Sequence, residues 1–460
     1  MLDESEFDEQ IRRGMEAAQV PSLAIAVWQG GEMKYVRGFG VTSVEEGGIP
    51  VTPATLFRVG STTKPMVGFA VMRLVEQGML SLDEPVASYL PWLQFSRRDA
   101  ARRITLRMLL SHTTGLPTEY KANGPCDPAA LEASLRKELP QYELFSPPGQ
   151  IWSYSNPGVR LAAHIAERAN GQLFPEMMRE LVFEPLEMTT ATFNPAVAMT
   201  YPLALPHEID DNGNLCVMRP FANNAARYPA GGVIGSVLDV VKFGRALLSS
   251  ELLTEDLLAE MLRPHARKFT RYDDYYGLTA ESAERLGPGW IGHSGYSPPY
   301  RSQFVIHRRQ RVVISMLYAE GKNFVESSWR ILESIIRSLC DADSSSPNSN
   351  SSREFGNNVT WAEVAGDYAS RDGKIATVAL DDEVPKLTWD NRQFELKSIK
   401  EGIYWGIPND DSTRVTLGIP HYSARRANFI TLDTRPLRRV RFLDQMLQKV
   451  AGLVNPQSAK

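Results

Sequence analysis

Cysteine is scarce in this chain: 460 residues carry three, Cys126, Cys216 and Cys340. They lie far apart and in no zinc or redox spacing, so neither a disulfide framework nor a zinc knuckle organises the fold. A small, odd number of thiols also suits a reducing compartment. No charge of one sign prevails, since 50 Lys and Arg face 54 Asp and Glu for a formal net charge of −4. No basic stripe with interleaved aromatics is present, which argues against a nucleic-acid partner. No apolar run is long enough to span a membrane. The first residues, Met1-Leu2-Asp3-Glu4-Ser5-Glu6-Phe7-Asp8, lack the basic start and apolar core of a secretory signal, so a cytoplasmic location is expected. The seven histidines are scattered, with no i, i+4 pair flanking a carboxylate. No metal and no cofactor are therefore expected.

What is present is strong local patterning. Phe7, Ile11, Met15 and Ala18 recur at helical spacing and predict an amphipathic first helix. Leu23 to Trp28 and Met33 to Phe39 flank Gly30-Gly31 and predict a hairpin. A helical pattern runs from Ser61 to Gln77 and stops at Gly78. Mostly helical sequence follows to about residue 262. Gln303 to Ile306 and Val312 to Tyr318, around the charged turn Arg308 to Arg311, predict a second hairpin. Residues 323–340 predict a closing helix.

Three short stretches carry chemistry. Ser61-Thr62-Thr63-Lys64 places a hydroxyl and an amine on one helical face, so that the amine can take the hydroxyl proton. The nearby helix N-terminus favours the oxyanion that follows. Tyr154-Ser155-Asn156 lies between Pro147-Pro148-Gly149 and Pro157-Gly158, on a loop able to aim a phenol and an amide into a cleft. A lysine ammonium beside Tyr154 would favour its phenolate and make it a general base, later an acid. His293-Ser294-Gly295 precedes the second hairpin, where Gly295 would let a substrate backbone come close. Each stretch has a plainer explanation: a serine N-cap, a packed aromatic, a structural histidine.

Together and in this order they resemble the serine β-lactamase-like, penicillin-binding-protein-like superfamily. The closest pattern is its class C β-lactamase, D-aminopeptidase and esterase branch. Gln77 to Val86, Ile104 to Pro117 and Pro229 to Ser236 are similar to further family stretches, and the likeness covers roughly residues 7–340. The resemblance implies a nucleophile at Ser61, its proton acceptor or electrostatic partner at Lys64 and an acid/base at Tyr154. It implies that Asn156 orients Lys64 and the substrate amide. His293 stands where many relatives have lysine, which weakens the case for a substrate with an obligatory free carboxylate. The backbone N–H groups of Ser61 and Tyr296 are the implied oxyanion donors. Gly295, Tyr296 and Tyr300 are the expected substrate-binding residues, since Tyr296-Ser297-Pro298-Pro299-Tyr300 makes a stiff, bulky wall where relatives often continue with small residues. His112 lies in a family-like stretch and is expected to make a structural hydrogen bond.

Composition shifts at residues 341–358, where Ser344 to Ser352 is almost all Ser and Asn and reads as a linker. Beyond it, short apolar runs from Ile375 to Leu443 alternate with turn signals and predict a small antiparallel barrel. Gly366-Asp367-Tyr368 is similar to the opening of lipocalin-like domains appended to some relatives. The expected fold is α+β: residues 1–340 an antiparallel sheet flanked by helices with a helical subdomain, residues 359–460 a β-barrel. The barrel either narrows substrate access or serves as a stabilising or oligomerising module. The expected function is a serine hydrolase working through an acyl-enzyme on a small ester, amide or peptide, in the manner of an esterase or a peptidase, with D-residue specificity as an option. An acyltransferase or peptide cyclase is the alternative, and a non-catalytic binding protein of the same fold is a third. The absent export signal argues against β-lactam turnover. A homo-oligomer is compatible with the sequence.

Overall fold

The computed structural model describes residues 4–339 apart from 98, 120, 122, 271 and 323, and residues 361–439 apart from 371–373, 382–383, 401–402, 409–414, 419–428 and 433–434. The first helix, α1 (Glu4–Ala18), buries Phe7, Ile11, Met15 and Ala18, the four residues whose spacing predicts it. The expected hairpin follows as β1 (Ser22–Gln29) and β2 (Glu32–Gly40). The helix α2 (Thr63–Glu76) is almost wholly buried, with Arg73, Val75 and Glu76 outside its buried set. A helix apolar on all sides belongs inside a domain, and α2 is the central one. Two further helices matter for the site and sheet: α3 (Asn156–Asn170) and α4 (Val237–Ala246).

After residue 262 come three short strands, β3 (Ala266–Arg267), β4 (Tyr275–Tyr276) and β5 (Glu281–Ser282). Three long ones follow: β6 (Trp290–Ser297), β7 (Tyr300–His307) and β8 (Val312–Ala319). The helix α5 (Val325–Leu339) then closes the unit. The strands form one eight-stranded antiparallel sheet in the order β2-β1-β8-β7-β6-β5-β4-β3. N-terminal and C-terminal strands thus share a sheet, with Ile25 opposite Met316 across β1 and β8.

Strand β1 explains the layering. Ala24, Ala26 and Trp28 face a core that includes α2 and α4, while Leu23, Ile25 and Val27 face one that includes α1 and α5. A strand buried on both faces reads as a continuous apolar run, and side-chain size then sorts the faces. Two alanines leave room for α4 on one side, and larger side chains fill the other. Between α2 and residue 262 the regular structure is mainly helical, but helices cover less than half of the residues expected to be mostly helical, and the region takes part in two small ladders. Phe57–Arg58 pairs with Ile234–Gly235, and His207–Ile209 pairs with Leu215–Val217.

Near the C-terminus, eight antiparallel strands from Gly366–Ala369 to Arg435–Arg439 form a closed barrel, sealed where Tyr368 pairs with Arg439. Tyr368, Leu387, Phe394, Leu417, Ile430 and Leu437 belong to its core. Arg438-Arg439 is a short basic pair that reads from the sequence as solvated; Arg438 is exposed, but Arg439 departs from that reading, its Nη2 donating to the carbonyls of Glu363, Val364 and Ala365 at 3.0, 3.1 and 2.5 Å. The expected linker 341–358 and the apolar run 440–443 lie outside the described residues. The barrel meets the loop after β3, since a Cβ built at Gly418 would lie 2.4 Å from the Phe269 Cβ. Among the described residues no helix is long and apolar enough to cross a membrane.

Ile11 has no exposed surface and sits between α1 and the sheet. Ile11→Ala should lower the unfolding free energy by about 2–5 kcal/mol, the cost of a cavity at a site with little room to collapse. Urea denaturation measures it, and a loss under about 0.5 kcal/mol, typical of a surface site, would show that α1 is dispensable.

Candidate active site

Ser61 lies in a 3₁₀ turn, Gly60–Thr62, that leads directly into α2. Pro65 sits in the first turn of α2, where its missing N–H has no helical acceptor to lose. Three residues after Ser61, Lys64 has no exposed surface. Its Nζ lies 3.0 Å from Ser61 Oγ and donates to Asn156 Oδ1 at 2.9 Å and to the Ala230 carbonyl at 2.5 Å. Burial drives the Lys64 pKa well below the usual lysine value, and the charge of Arg227 adds to that. A neutral amine keeps two N–H groups for Asn156 and Ala230 and turns its lone pair to the Ser61 proton.

Tyr154 reaches the same oxygen, its hydroxyl 2.8 Å from Ser61 Oγ. Burial raises its pKa, and the hydrogen bond to Ser61 pulls the other way without prevailing. The expected ammonium–phenolate pair is therefore corrected: Lys64 Nζ lies 4.8 Å from the Tyr154 ring centroid, and desolvation favours neutral amine and neutral phenol. Asn156 opens α3, whose N-cap Ser155 accepts from the Gly158 N–H. The Asn156 Nδ2 donates to the carbonyls of Thr118 and Glu119 at 2.9 and 3.2 Å, so its Oδ1 faces Lys64. Asn156 and Lys64 are thus brought together. The amide expected to reach substrate is engaged within the protein.

Strand β6 supplies the opposite wall. Gly295 lacks a side chain because the protein's own backbone fills that space: a Cβ there would lie 2.1 Å from the Val59 carbonyl oxygen. The same crossing puts the Tyr296 backbone nitrogen 2.7 Å from a Cβ built on Gly60, next to Ser61. Tyr296 is half exposed, stacks over Arg301 and lines the cleft. Tyr300 does not join it: the residue is buried, and its hydroxyl donates to the Ala204 carbonyl at 2.7 Å. The expected wall thus ends at Pro298.

His293 is buried, and both of its nitrogens are engaged, with the Tyr276 hydroxyl at 2.9 Å and the Ser294 carbonyl at 2.6 Å. Burial pulls its pKa down to about 4, against the opposing attraction of Glu281. It is a neutral imidazole in the wall. Sequence reasoning missed Tyr276, Trp152, Glu281 and the Ala230 carbonyl, none of which stands in a recognisable spacing. Two cavities meet at Ser61 and Tyr154. One, of about 320 Å³, includes Arg58, Asn156, Arg227 and Tyr296; the other, of about 280 Å³, includes Trp152, Glu281, His293 and Tyr296. Among the described residues no cluster of His, Cys, Asp or Glu could hold a metal ion.

The depressed His293 pKa has a consequence for stability. Unfolded, the imidazole takes up a proton near 6.5; folded, it does so near 4. Its contribution is therefore complete above about 6.5 and is lost as pH falls toward about 4, at about 1.4 kcal/mol per unit. Replacing His293 by Gln should shrink the stability difference between about pH 7.5 and about pH 5 by about 2 kcal/mol. Urea midpoints at the two pH values test this, and an unchanged difference contradicts a neutral buried His293.

Comparison with known proteins agrees with this geometry. The family model described as Beta-lactamase matches residues 7–332. Esterase EstB of Burkholderia gladioli is 32% identical over 62% of this chain and 76% of its own length. Penicillin-binding protein 4 of Amycolatopsis lactamdurans is 29% identical over 49% of this chain, which spans 59% of that relative, less than two thirds. Among solved structures, SurE aligns over 95% of this chain and 98% of its own with a TM-score of 0.72 at 23% identity, a likeness of fold that takes in the barrel. The match over residues 7–332 spans well over half of the sequence, and the chain belongs to the β-lactamase family.

Proposed function

We propose that the protein is a serine hydrolase that cleaves a small ester or amide through an acyl-enzyme on Ser61. The observation that carries this reading is a single oxygen, Ser61 Oγ, held at 3.0 Å by Lys64 and at 2.8 Å by Tyr154. Neutral Lys64 accepts the Ser61 proton as Oγ attacks the substrate carbonyl. The oxyanion forms against the backbone N–H groups of Ser61 and Tyr296. Tyr154 gives its proton to the leaving oxygen or nitrogen as that bond breaks and recovers one from Lys64. Water then attacks the ester, with the same two groups working in reverse. Asn156 holds Lys64 in place throughout.

The substrate class follows from the walls. His293 offers no permanent cation in its wall, so the site takes neutral esters and amides, while Arg58 and Arg227 in the larger cavity are the cations that an anionic group of the substrate would meet. The likeness to Esterase EstB supports an esterase, and a structure of SurE with D-Leu, aligned at a TM-score of 0.69, keeps D-residue amides or peptides in view. A cytoplasmic location is part of the same reading, supported by the free thiols of Cys126 and Cys216. So is a lipocalin-like barrel that touches the catalytic unit through Phe269, one residue from Lys268.

Brief exposure to a p-nitrophenyl ester should add one acyl mass to the wild-type protein and none to Ser61→Ala. Turnover in the variant should fall by several orders of magnitude. The adduct should disappear in water. An adduct that persists until an amine is supplied would replace hydrolysis by acyl transfer, and equal turnover by Ser61→Ala would overturn the mechanism.

A further inference from the structure

His112 is fully buried, yet its backbone is left-handed, with φ at +58°. A non-glycine residue held there costs about 1–3 kcal/mol and persists where its surroundings over-determine it. The surroundings of His112 are the acid/base itself. Its ring centroid lies 4.4 Å from that of Tyr154, 4.7 Å from Tyr276 and 6.3 Å from Trp152.

The hydrogen bonds around it settle both imidazole tautomers. The Ser155 N–H donates to His112 Nδ1 at 3.2 Å. A neutral imidazole with a bare Nδ1 carries its proton on Nε2. His112 Nε2–H therefore donates to the Tyr276 oxygen at 3.1 Å. Tyr276 has one proton, which goes to His293 Nε2 at 2.9 Å. His293 then carries its proton on Nδ1 and donates to the Ser294 carbonyl at 2.6 Å. Each group uses one proton once, and all bonds run the same way, from the turn before α3 to the edge of β6.

An imidazolium at His112 would turn a second N–H against that of Ser155. The charged and titratable groups facing the pair are Lys64 and Lys268, which oppose protonation of both rings, and Glu281, which favours it at His293. Tyr154 and Tyr276 complete the set, both kept neutral by burial.

We propose that His112 and Tyr276 are positioning residues, a strut that sets the width of the cleft. One end holds the turn bearing Tyr154 and Asn156, and the other holds the strand bearing Gly295 and Tyr296. Ser61 lies between them. The strut fixes the separation of proton donor and oxyanion donor across the nucleophile, and neither residue touches the reacting atoms.

Tyr276→Phe removes one hydroxyl from the middle and keeps the ring. It should lower kcat for p-nitrophenyl ester hydrolysis about 10- to 100-fold, the effect of an ångström-scale misplacement. KM should stay within about threefold, because no binding contact is removed. His112→Asn keeps a residue that tolerates left-handed backbone. The double variant should be about as impaired as the worse single one, since a chain breaks only once. A kcat within about twofold of wild type in Tyr276→Phe, or fully additive losses, would overturn the strut. Imidazole ¹⁵N spectra of the unmodified protein provide a test free of folding defects. They should show His112 protonated on Nε2 and His293 on Nδ1, and the opposite tautomer at either ring refutes the chain. The kinetic arm rests on the acyl-enzyme reading, whereas the tautomers do not. A wild type that fails to acylate would sink that reading and leave the strut standing.

Discussion

A primary amine held out of water is the constraint around which this protein is arranged. Lys64 lies in the first turn of a buried helix, where an ammonium would be very costly and even a neutral amine needs partners for its N–H groups. Groups from three separate segments converge on it: the Asn156 amide and the Ala230 carbonyl accept its N–H groups, and the Ser61 hydroxyl lies 3.0 Å from its nitrogen. Each segment is held for that purpose. The Asn156 amide is oriented by two loop carbonyls, and the Ala230 stretch is brought in beside Gly60. Desolvation lowers the pKa of the amine and raises that of the neighbouring phenol, which is what the proposed roles of base and acid require.

The scaffold supplies the dry environment. Strands β1, β7 and β8 are buried on both faces, and side-chain size along β1 decides which helices approach which face. The site falls at the rim of that sheet, where the rows of paired strands thin out to the two-residue strands β3 to β5. Fully paired backbone on one side and helical turns on the other leave an edge that side chains can line.

Much of this was legible in the sequence because it is local. Four residues at helical spacing announce α1, Gly30-Gly31 announces the first hairpin, and the Ser61–Lys64 spacing depends on helical geometry alone. The order of the three short stretches then placed Tyr154 and His293 near Ser61. What escaped was set by contacts distant in the chain. Tyr276 meets His112 across 164 residues and has no spacing that marks it. Tyr300 looked like a cleft residue because it shares a segment with Tyr296, but along β6 and into β7 the two side chains diverge. Arg439 looked solvated because arginines usually are; three backbone carbonyls, invisible in sequence, hold it. The direction of the pKa shifts also escaped, since burial, which pushes Lys64 down and Tyr154 up, cannot be read from residue type.

The glycines at the crossing of β6 and the Ser61 turn divide the cleft into parts that differ in their freedom to change. Its floor is bare main chain, with Val59, Gly60, Gly295 and Tyr296 packed too closely for any added carbon. Its walls are side chains from separate segments, Trp152, Arg227, Glu281 and Tyr296 among them. Divergence can therefore redraw the range of accepted molecules by exchanging wall residues one at a time, while the platform on which the bond is broken stays the same.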